Sequence, residues 1–123
     1  MKTKKIKLPK EFRTKWLNAL ESGEYKQTIF SLADKSGYCC LGVAGRCLNI
    51  RRKDLDDVPM PNNLDSKLAK KFPEAFIEIE NDETYGENIK NTKFTNKLST
   101  LNDDDGWDFK QIAKYIRSNT IGV

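Results

Sequence analysis

The sequence contains no histidine, and this absence excludes more chemistry than any other feature of the composition. Without imidazole there is no Ser-His or Cys-His catalytic pair, no histidine general base, and no zinc site of the Cys₂His₂ or HExxH type. The three cysteines are also too few for a zinc site with four cysteine ligands. The enzyme chemistries that stay open use carboxylates with a metal ion, lysine, tyrosine or a lone thiol.

Long apolar runs are missing as well. No stretch approaches the roughly 18 consecutive apolar residues that a membrane-spanning helix needs. The lysines of the opening MKTKKIKLPK are not followed by the apolar segment of a secretory signal. The cysteines Cys39, Cys40 and Cys47 are an odd number, and two of them are adjacent, a spacing that strains a disulfide. We therefore expect reduced thiols, a cytoplasmic location and no contact with a membrane.

The chain has 123 residues, of which 33% are charged and 37% are hydrophobic. This length suits one domain, and the composition predicts a lean core. The net charge is +4, but lysines crowd the first ten residues and aspartates crowd residues 103–108. We expect a basic, flexible N-terminal arm over residues 1–8 and a single globular domain over residues 9–123. The arm is either a solvated tail or a device that attracts anions such as nucleic acid.

Hydrophobic spacing and turn residues predict the order of the elements. Pro9 and the Ser22-Gly23 pair mark the ends of a first amphipathic helix. The nearly uncharged run 38–48 predicts a buried central helix, in which Gly42 and Gly45 admit a close neighbour. The remaining predictions are a strand within 25–32, a turn at 34–37, a charged loop over 51–63, a helix over 64–72, a strand over 76–80, a turn at Tyr85-Gly86, a helix over 94–101, and a helix that begins with an Asp108/Gln111 capping box. Together they predict a mainly α, α+β fold with about four helices and a small sheet or hairpin.

Several residue patterns that sometimes carry catalysis have simpler structural interpretations here. The adjacent Cys39 and Cys40 lack a neighbouring base to lower a thiol pKa, so we expect at least one of them to pack as a small apolar residue. The run 103–106 resembles a calcium loop, but aligning its glycine as the sixth loop residue leaves apolar residues at both ends. Carboxylate pairs such as Glu78 with Glu80, or Asp65 beside a lysine, arise by chance in so charged a chain. We expect no catalytic centre, no metal and no cofactor, with a small metal-dependent nuclease or phosphodiesterase as the minority alternative.

The aromatic residues favour a binding function because most of them neighbour polar or cationic residues. Rings of this kind stack on nucleotide bases, cations hold phosphates, and amide or carboxylate groups read the edge of a base. We expect these residues to line one ligand-binding cleft: Lys15, Trp16, Tyr25, Lys26, Gln27, Tyr38, Arg46, Asn102, Asp103 and Trp107. On this hypothesis alanine at Tyr25, Gln27 or Asn102 abolishes binding with little loss of thermal stability. The structural alternative buries Trp16 and Tyr38 and uses Asn102 and Asp103 for capping.

Three motifs in the same order resemble a widespread family of small bacteriophage-encoded proteins. They are KWLNALESGEYKQ at 15–27, GYCCLGV at 37–43 and LNDDDGWDFKQIA at 101–113. The resemblance implies a counter-defence factor, including the kind of protein that sequesters cyclic nucleotide signals of bacterial immunity. The chain departs from the family pattern after Val43, where Ala44-Gly45-Arg46-Cys47 replaces the usual Leu-Cys-Asp. Arg46 favours an anion at that position, where the family pattern has an acidic residue.

The leading hypothesis is therefore a non-enzymatic phage protein that binds a small anionic ligand, with a cyclic nucleotide as the expected class. A first alternative is an inhibitor that grips a host defence or replication protein through residues 102–108, with Trp107 as the anchor. A second is a nucleic-acid-binding protein that uses the lysine arm. Because one lean domain has little volume to hollow out, a homo-oligomer with its pocket between subunits is a further expectation.

Overall fold

Six α-helices and three two-stranded sheets are formed by residues 5–84 and 86–123, which are the residues described in the computed structural model of the chain. In chain order the elements are β1 (Ile6–Leu8), α1 (Lys10–Ser22), β2 (Ala33–Asp34), β3 (Gly37–Tyr38), α2 (Cys40–Cys47), α3 (Arg52–Leu55), a 3₁₀ helix (Pro61–Asn63), α4 (Ser66–Ala69), β4 (Ile77–Asp82), β5 (Gly86–Asn91), α5 (Lys93–Asp103), α6 (Phe109–Asn119) and β6 (Thr120–Gly122). This is a single compact domain, and the prediction of a mainly α, α+β fold is confirmed. No helix in the described part of the chain is long and apolar enough to cross a membrane.

Helix α2 is the central element, because every one of its residues except Arg46 is buried. Helices α1 and α5 pack against it. Gly42 makes this packing possible on a third side, since a Cβ atom there would lie 1.7 Å from the carbonyl oxygen of Leu32. The predicted close approach at Gly42 is confirmed. The helix begins at Cys40 and not at Tyr38, because Tyr38 pairs in strand β3.

An aromatic cluster fills the space between α1, α5 and the start of the β4–β5 hairpin. The Trp16 ring lies 5.1 Å from the Phe76 ring and 5.5 Å from the Phe12 ring, measured between centroids. Phe94 contacts both Trp16 and Phe76 edge to face. Edge-to-face and offset arrangements of this kind add to the apolar area that large rings bury. These aromatic side chains thus complete a core that otherwise consists mostly of leucine, isoleucine and alanine.

The two ends of the described chain meet in a parallel pair, β1 with β6, which the sequence pattern does not predict. Leu8 is fully buried, and the Arg13 guanidinium donates to the Thr120 hydroxyl at 2.9 Å, which ties helix α1 to the start of β6. Residues 6–8 therefore belong to the fold, and the predicted arm over residues 1–8 is too long. Residues 1–4, with Lys2 and Lys4, lie outside the described residues.

The segment 25–32 is irregular, so the predicted strand there is wrong. Phe30 has a left-handed φ of 65°, which breaks an extended strand, and Gln27 makes only an isolated bridge with Tyr38. The predicted turn that follows is confirmed. The Asp34 carboxylate accepts from the Ser36 amide at 2.7 Å and from the Gly37 amide at 3.2 Å, and these bonds close the β2–β3 hairpin.

The second half of the chain follows its local signals more closely. Strand β4 covers most of the predicted strand 76–80 and pairs antiparallel with β5, and the Asp108/Gln111 capping box is confirmed. The loop predicted over 51–63 contains α3 and the 3₁₀ helix. The helix predicted over 64–72 is shorter in the structure, where α4 has only the four residues Ser66–Ala69. The turn predicted at Tyr85-Gly86 involves Tyr85, which lies outside the described residues.

Candidate functional site

The amide of Asn102 is the centre of a buried hydrogen-bond network. Its Nδ2 donates to the Thr28 carbonyl at 2.9 Å and to Asp103 Oδ1 at 2.8 Å. Its Oδ1 accepts from Gln27 Nε2 at 2.9 Å and from the Cys40 backbone amide at 3.2 Å. All four hydrogen-bonding positions of the amide are therefore occupied within the protein. With 1% of its surface exposed, Asn102 is not free to read a ligand.

Gln27 and Asp103 belong to the same network, so the structure does bring these three predicted residues together. Gln27 Nε2 also donates to the Trp107 carbonyl at 2.7 Å. The Asp103 carboxylate accepts from the Phe30 amide at 3.0 Å and from the Ser99 hydroxyl at 3.2 Å. The network fastens the irregular segment 25–32 to the end of α5. Its role is to hold that segment in place.

Trp16 is fully buried in the aromatic cluster, and its indole Nε1 donates to the Cys40 carbonyl at 3.0 Å. The apolar face of α1 carries Trp16 directly against α2, so no ligand at the surface reaches the ring. The structure thus corrects the predicted ligand contacts at Trp16 and Asn102: both side chains are buried, and their polar groups are spent on internal hydrogen bonds.

A shallow cleft collects the tyrosine residues of the predicted site. The rings of Tyr25 and Tyr38 lie 5.3 Å apart at 84°, edge to face, and both are half-buried. The cleft has a volume of about 410 Å³. Its lining consists of Glu24, Tyr25, Lys26, Lys35, Ser36, Gly37, Tyr38 and Arg52. We call this the tyrosine cleft, and it combines two aromatic rings with three cationic side chains.

Backbone pairing sets the positions of the two tyrosines. The Tyr38 amide donates to the Lys26 carbonyl at 2.8 Å, and the Thr28 amide donates to the Tyr38 carbonyl at 2.8 Å. Gly37 permits this approach, because a Cβ atom there would lie 2.1 Å from the Lys26 carbonyl oxygen, at a φ of +153°. The Thr28 hydroxyl also donates to Asp34 at 2.7 Å, which ties the loop to the β2–β3 hairpin.

Two of the cations in the tyrosine cleft, Lys35 and Arg52, are absent from the predicted site. Lys35 lies in the predicted turn just before Tyr38. Because such a turn folds back on this tyrosine, the sequence pattern could have placed Lys35 in the site. Arg52 carried no such signal, because its guanidinium reaches the cleft only by donating to the Asp34 carbonyl across the fold. It also lies 3.6 Å from Asp56.

The other two predicted cations, Lys15 and Arg46, lie outside the tyrosine cleft. Arg46 Nη1 donates to the Ile50 carbonyl at 2.9 Å, just beyond the end of α2. Lys15 lines a separate depression on the exposed side of α1.

Partial burial raises the pKa of Tyr25, with Cys47 adding to this effect and Arg46 opposing it. Tyr25 is therefore a neutral phenol near pH 7, able to donate or accept a hydrogen bond.

Trp107 also lies away from the tyrosine cleft, in a second groove on α6. Its ring is half-buried and meets Tyr115 edge to face, with centroids 6.4 Å apart. The groove has a volume of about 360 Å³ and is mostly apolar. It is lined by Trp107, Gln111, Lys114, Tyr115, Ser118 and Asn119. We call this the tryptophan groove.

The patterns considered for catalysis have structural roles. The Asp65 carboxylate caps α4 by accepting from the amides of Lys67 and Leu68. Glu80 forms an ion pair with Lys90 at 2.9 Å on the exposed β4–β5 hairpin. Among the described residues no three histidine, cysteine, aspartate or glutamate side chains lie close enough together to hold a metal ion.

All three cysteines are buried free thiols. Burial raises the pKa of Cys39 to about 12 and that of Cys40 well above its usual value. Burial also raises the pKa of Cys47, although Lys15 and Arg46 oppose it. Because only the thiolate is a good nucleophile, we expect these residues to react slowly with electrophiles in the folded protein.

This burial predicts how the thiols respond to alkylation. At pH 8 the native protein is expected to incorporate almost no iodoacetamide over an hour, since each thiol stays protonated and covered. The same reaction in denaturant is expected to label all three cysteines. Intact mass spectrometry measures both results. Rapid labelling of Cys39 or Cys40 without denaturant contradicts this prediction.

The fold and these sites define a small α+β domain with surface clefts and a buried polar network. The chain belongs to the family of the domain of unknown function DUF8296, whose sequence profile matches residues 8–120. No curated protein and no solved structure matches the chain.

Proposed function

We propose that this protein is a non-enzymatic binding protein that holds a small anionic ligand, of the nucleotide class, in the tyrosine cleft. The observation that carries the proposal is the meeting of two tyrosine rings with Lys26, Lys35 and Arg52 around one cleft. Its volume of about 410 Å³ lies within the range of roughly 300–1,000 Å³ that is typical of small-molecule sites.

Each group lining the cleft has a chemical use in this proposal. A base stacks on the exposed part of Tyr25 or Tyr38, a contact that any base permits because every base has a π-face. The three cations offset the charge of the phosphates, and Arg52 does so through its charge, since its Nη2 group already donates to the Asp34 carbonyl and lies 3.6 Å from Asp56. The Ser36 hydroxyl is a further donor, and Glu24 accepts from an exocyclic amino group.

The resemblance to bacteriophage proteins supplies the biological context of the proposal. In the cytoplasm of an infected host, a binding protein of this kind sequesters a cyclic nucleotide signal and so blocks anti-phage defence. The cleft is open to solvent on one side, and a second copy of the chain is the cover that we propose for a ligand as large as a cyclic dinucleotide. Sequestration requires tight binding without turnover, which fits a site built from rings and cations.

Isothermal titration calorimetry with a panel of cyclic di- and trinucleotides and ADP-ribose tests the proposal. Inorganic pyrophosphate and adenosine serve as probes of the phosphate and base contacts taken separately. We expect at least one cyclic nucleotide to bind more tightly than either fragment, and to be recovered unchanged after long incubation. Failure of every nucleotide to bind, or turnover of the nucleotide, contradicts the proposal.

Replacing Tyr25 with alanine is expected to raise the Kd of that nucleotide roughly 5- to 150-fold, since stacking of a base on an aromatic ring contributes about 1–3 kcal/mol. Lys26→Ser and Lys35→Ser are expected to weaken binding. The loss of affinity relative to the wild-type protein is expected to become smaller as the salt concentration rises. Lys53→Ser is the matched control, because Lys53 is exposed beside Arg52 but does not line the cleft. Equal losses for Lys53→Ser and Lys35→Ser place the ligand elsewhere.

The tryptophan groove favours a second candidate function, inhibition of a host protein. A half-buried tryptophan beside a tyrosine in an apolar groove is the composition of an interface anchor. The two functions are separated by one pair of variants. Tyr115→Ala is expected to weaken capture of a host protein and leave nucleotide binding unchanged, whereas Tyr25→Ala has the opposite effects.

A further inference from the structure

The β4–β5 hairpin extends from the domain with little packing of its own. In β4 only Ile77 is buried, and Ile79 exposes 47% of its surface. The hairpin is anchored at its base, where the Thr95 hydroxyl donates to the Phe76 carbonyl at 2.7 Å. An isolated two-stranded ribbon is marginally stable in water, and either a further strand or packing against a helix stabilises it.

The pairing register shows which backbone groups of the hairpin point away from the partner strand. The Thr92 amide donates to the Phe76 carbonyl at 3.4 Å, and the register continues through Glu78 with Lys90. Because hydrogen-bonded and non-hydrogen-bonded pairs alternate in an antiparallel ladder, the backbone groups of Ile77, Ile79 and Asn81 point away from β5.

The two outer edges of the hairpin differ. On the β5 side, the Ile89 carbonyl accepts from Asn62 Nδ2 at 3.4 Å, so the 3₁₀ helix covers part of that edge. On the β4 side, the outward amides and carbonyls of Ile77, Ile79 and Asn81 make no hydrogen bond within the described residues. An uncovered strand edge is a template for another strand.

A groove borders the first half of β4. It has a volume of about 510 Å³ and is lined by Lys70, Phe72, Glu74, Ile77, Glu78 and Ile79. Three of these side chains are apolar, so the groove accepts an apolar side chain of an added strand. Glu74 and Glu78 are exposed and form no ion pair within 4 Å among the described residues, although Glu78 lies opposite Lys90 in the register, and Lys90 itself pairs with Glu80. Lys70, by contrast, is paired with Glu87.

Charge decides which strand fits. The chain as a whole carries +4, but the hairpin is acidic, with Glu78, Glu80 and Asp82 alternating along β4. Pairing of two β4 edges around Ile79 sets Glu78 of one copy against Glu80 of the other, and like charges directly opposite one another destabilise a sheet. A second copy of this edge is therefore a poor occupant, and a cationic strand is a good one.

We infer that the outer edge of β4 is a docking site for an extended segment of a partner protein in which lysine or arginine alternates with apolar residues. The backbone of the segment pairs with Ile77, Ile79 and Asn81. Its apolar side chains pack by Ile79 and the groove, and its cationic side chains face the carboxylates of Glu74 and Glu78. This surface is separate from the tyrosine cleft, and the inference does not depend on the ligand proposed there.

Fluorescence anisotropy with a labelled (Lys-Val)₃ peptide tests the inference at physiological ionic strength. The comparison peptide has the same side chains but N-methyl groups at alternate backbone positions, which block pairing and leave the charge unchanged. We expect the unmodified peptide to bind and the methylated peptide to bind at least about tenfold more weakly, because the main-chain hydrogen bonds provide affinity in strand addition. Equal binding of the two peptides, or no binding of either, overturns the inference.

Variants of the protein locate the contact. Glu74→Gln with Glu78→Gln is expected to weaken binding about fivefold to tenfold, from the loss of two opposite-charge contacts. Asp104→Asn with Asp105→Asn is the matched control, since it removes the same charge from an exposed site on another surface. Hydrogen exchange gives an independent readout: the amides of Ile79 and Asn81 gain protection when the peptide is bound. Equal effects of the two double variants, or unchanged exchange at these amides, overturn the inference.

Discussion

Gly42→Ala is expected to lower the free energy of unfolding by at least about 3 kcal/mol, because overpacking against a fixed backbone exceeds what side-chain adjustment relieves. The added Cβ atom would lie 1.7 Å from the Leu32 carbonyl oxygen and 2.6 Å from its carbon. Leu32 has little freedom to move, since its amide donates to the Val58 carbonyl at 2.7 Å. Helix α2 must therefore shift away from the whole segment. A loss of this size lowers Tm by about 10 °C or more in a chain of this length.

Thermal and urea unfolding followed by circular dichroism measure this effect. Gly45→Ala is the matched control on the same helix, because its Cβ atom would meet the end of the Leu55 side chain at 3.0 Å and the Phe72 ring at 3.6 Å. Side-chain ends rotate where a backbone carbonyl does not, so we expect a smaller loss for Gly45→Ala. Similar melting of the wild-type protein and Gly42→Ala contradicts the close approach of α2 to Leu32.

Asn102→Ala is expected to destabilise the domain by about 3–5 kcal/mol, because each buried group left without a partner costs about 1–3 kcal/mol. The substitution removes the acceptor of the Cys40 amide and the donor to the Thr28 carbonyl. It also releases Gln27 from one of its two hydrogen bonds. Urea unfolding measures the loss. This result is the reverse of the sequence-based hypothesis, in which alanine at Asn102 abolishes binding with little change in stability.

Asn96→Ala is the matched control for Asn102→Ala, since Asn96 lies on the same helix with its side chain exposed. We expect its stability to stay within about 0.5 kcal/mol of the wild-type value, as for most surface substitutions. Calorimetric titration of the folded fraction of Asn102→Ala then separates the two roles. Nucleotide affinity near the wild-type value, with lowered stability, identifies a scaffold residue. Loss of affinity at unchanged stability identifies a ligand contact and contradicts the structural role.

Elements with a complete local signal were predicted well. Pro9 and the Ser22-Gly23 pair bound α1 within one residue, and the capping box at Asp108 begins α6. Such signals succeed because caps and turns are hydrogen-bonded within a few residues of themselves. The strand predicted within 25–32 failed for the opposite reason. The backbone of that segment is satisfied by β3, which lies beyond the next turn, and by Val58 and Asn102, which are distant in sequence.

The candidate site was predictable in part. The structure brings Tyr25, Lys26 and Tyr38 together as expected, because the loop and the hairpin that carry them are close in sequence. Arg52 was missed because its position depends on a contact with the Asp34 carbonyl. The pairing of β1 with β6 was missed for a similar reason, since it joins the two ends of the described chain.

The amino-acid sequence by itself determined the chemical inventory of this protein. It excluded histidine chemistry, placed a nearly uncharged helix at the centre and set the local ends of α1 and α6. Only the tertiary structure decided which polar and aromatic groups are free to bind. Trp16 and Trp107 have the same side chain, yet the first is fully buried and the second half-exposed in a groove. Helical spacing shows which residues share a face, whereas burial depends on which distant element covers that face.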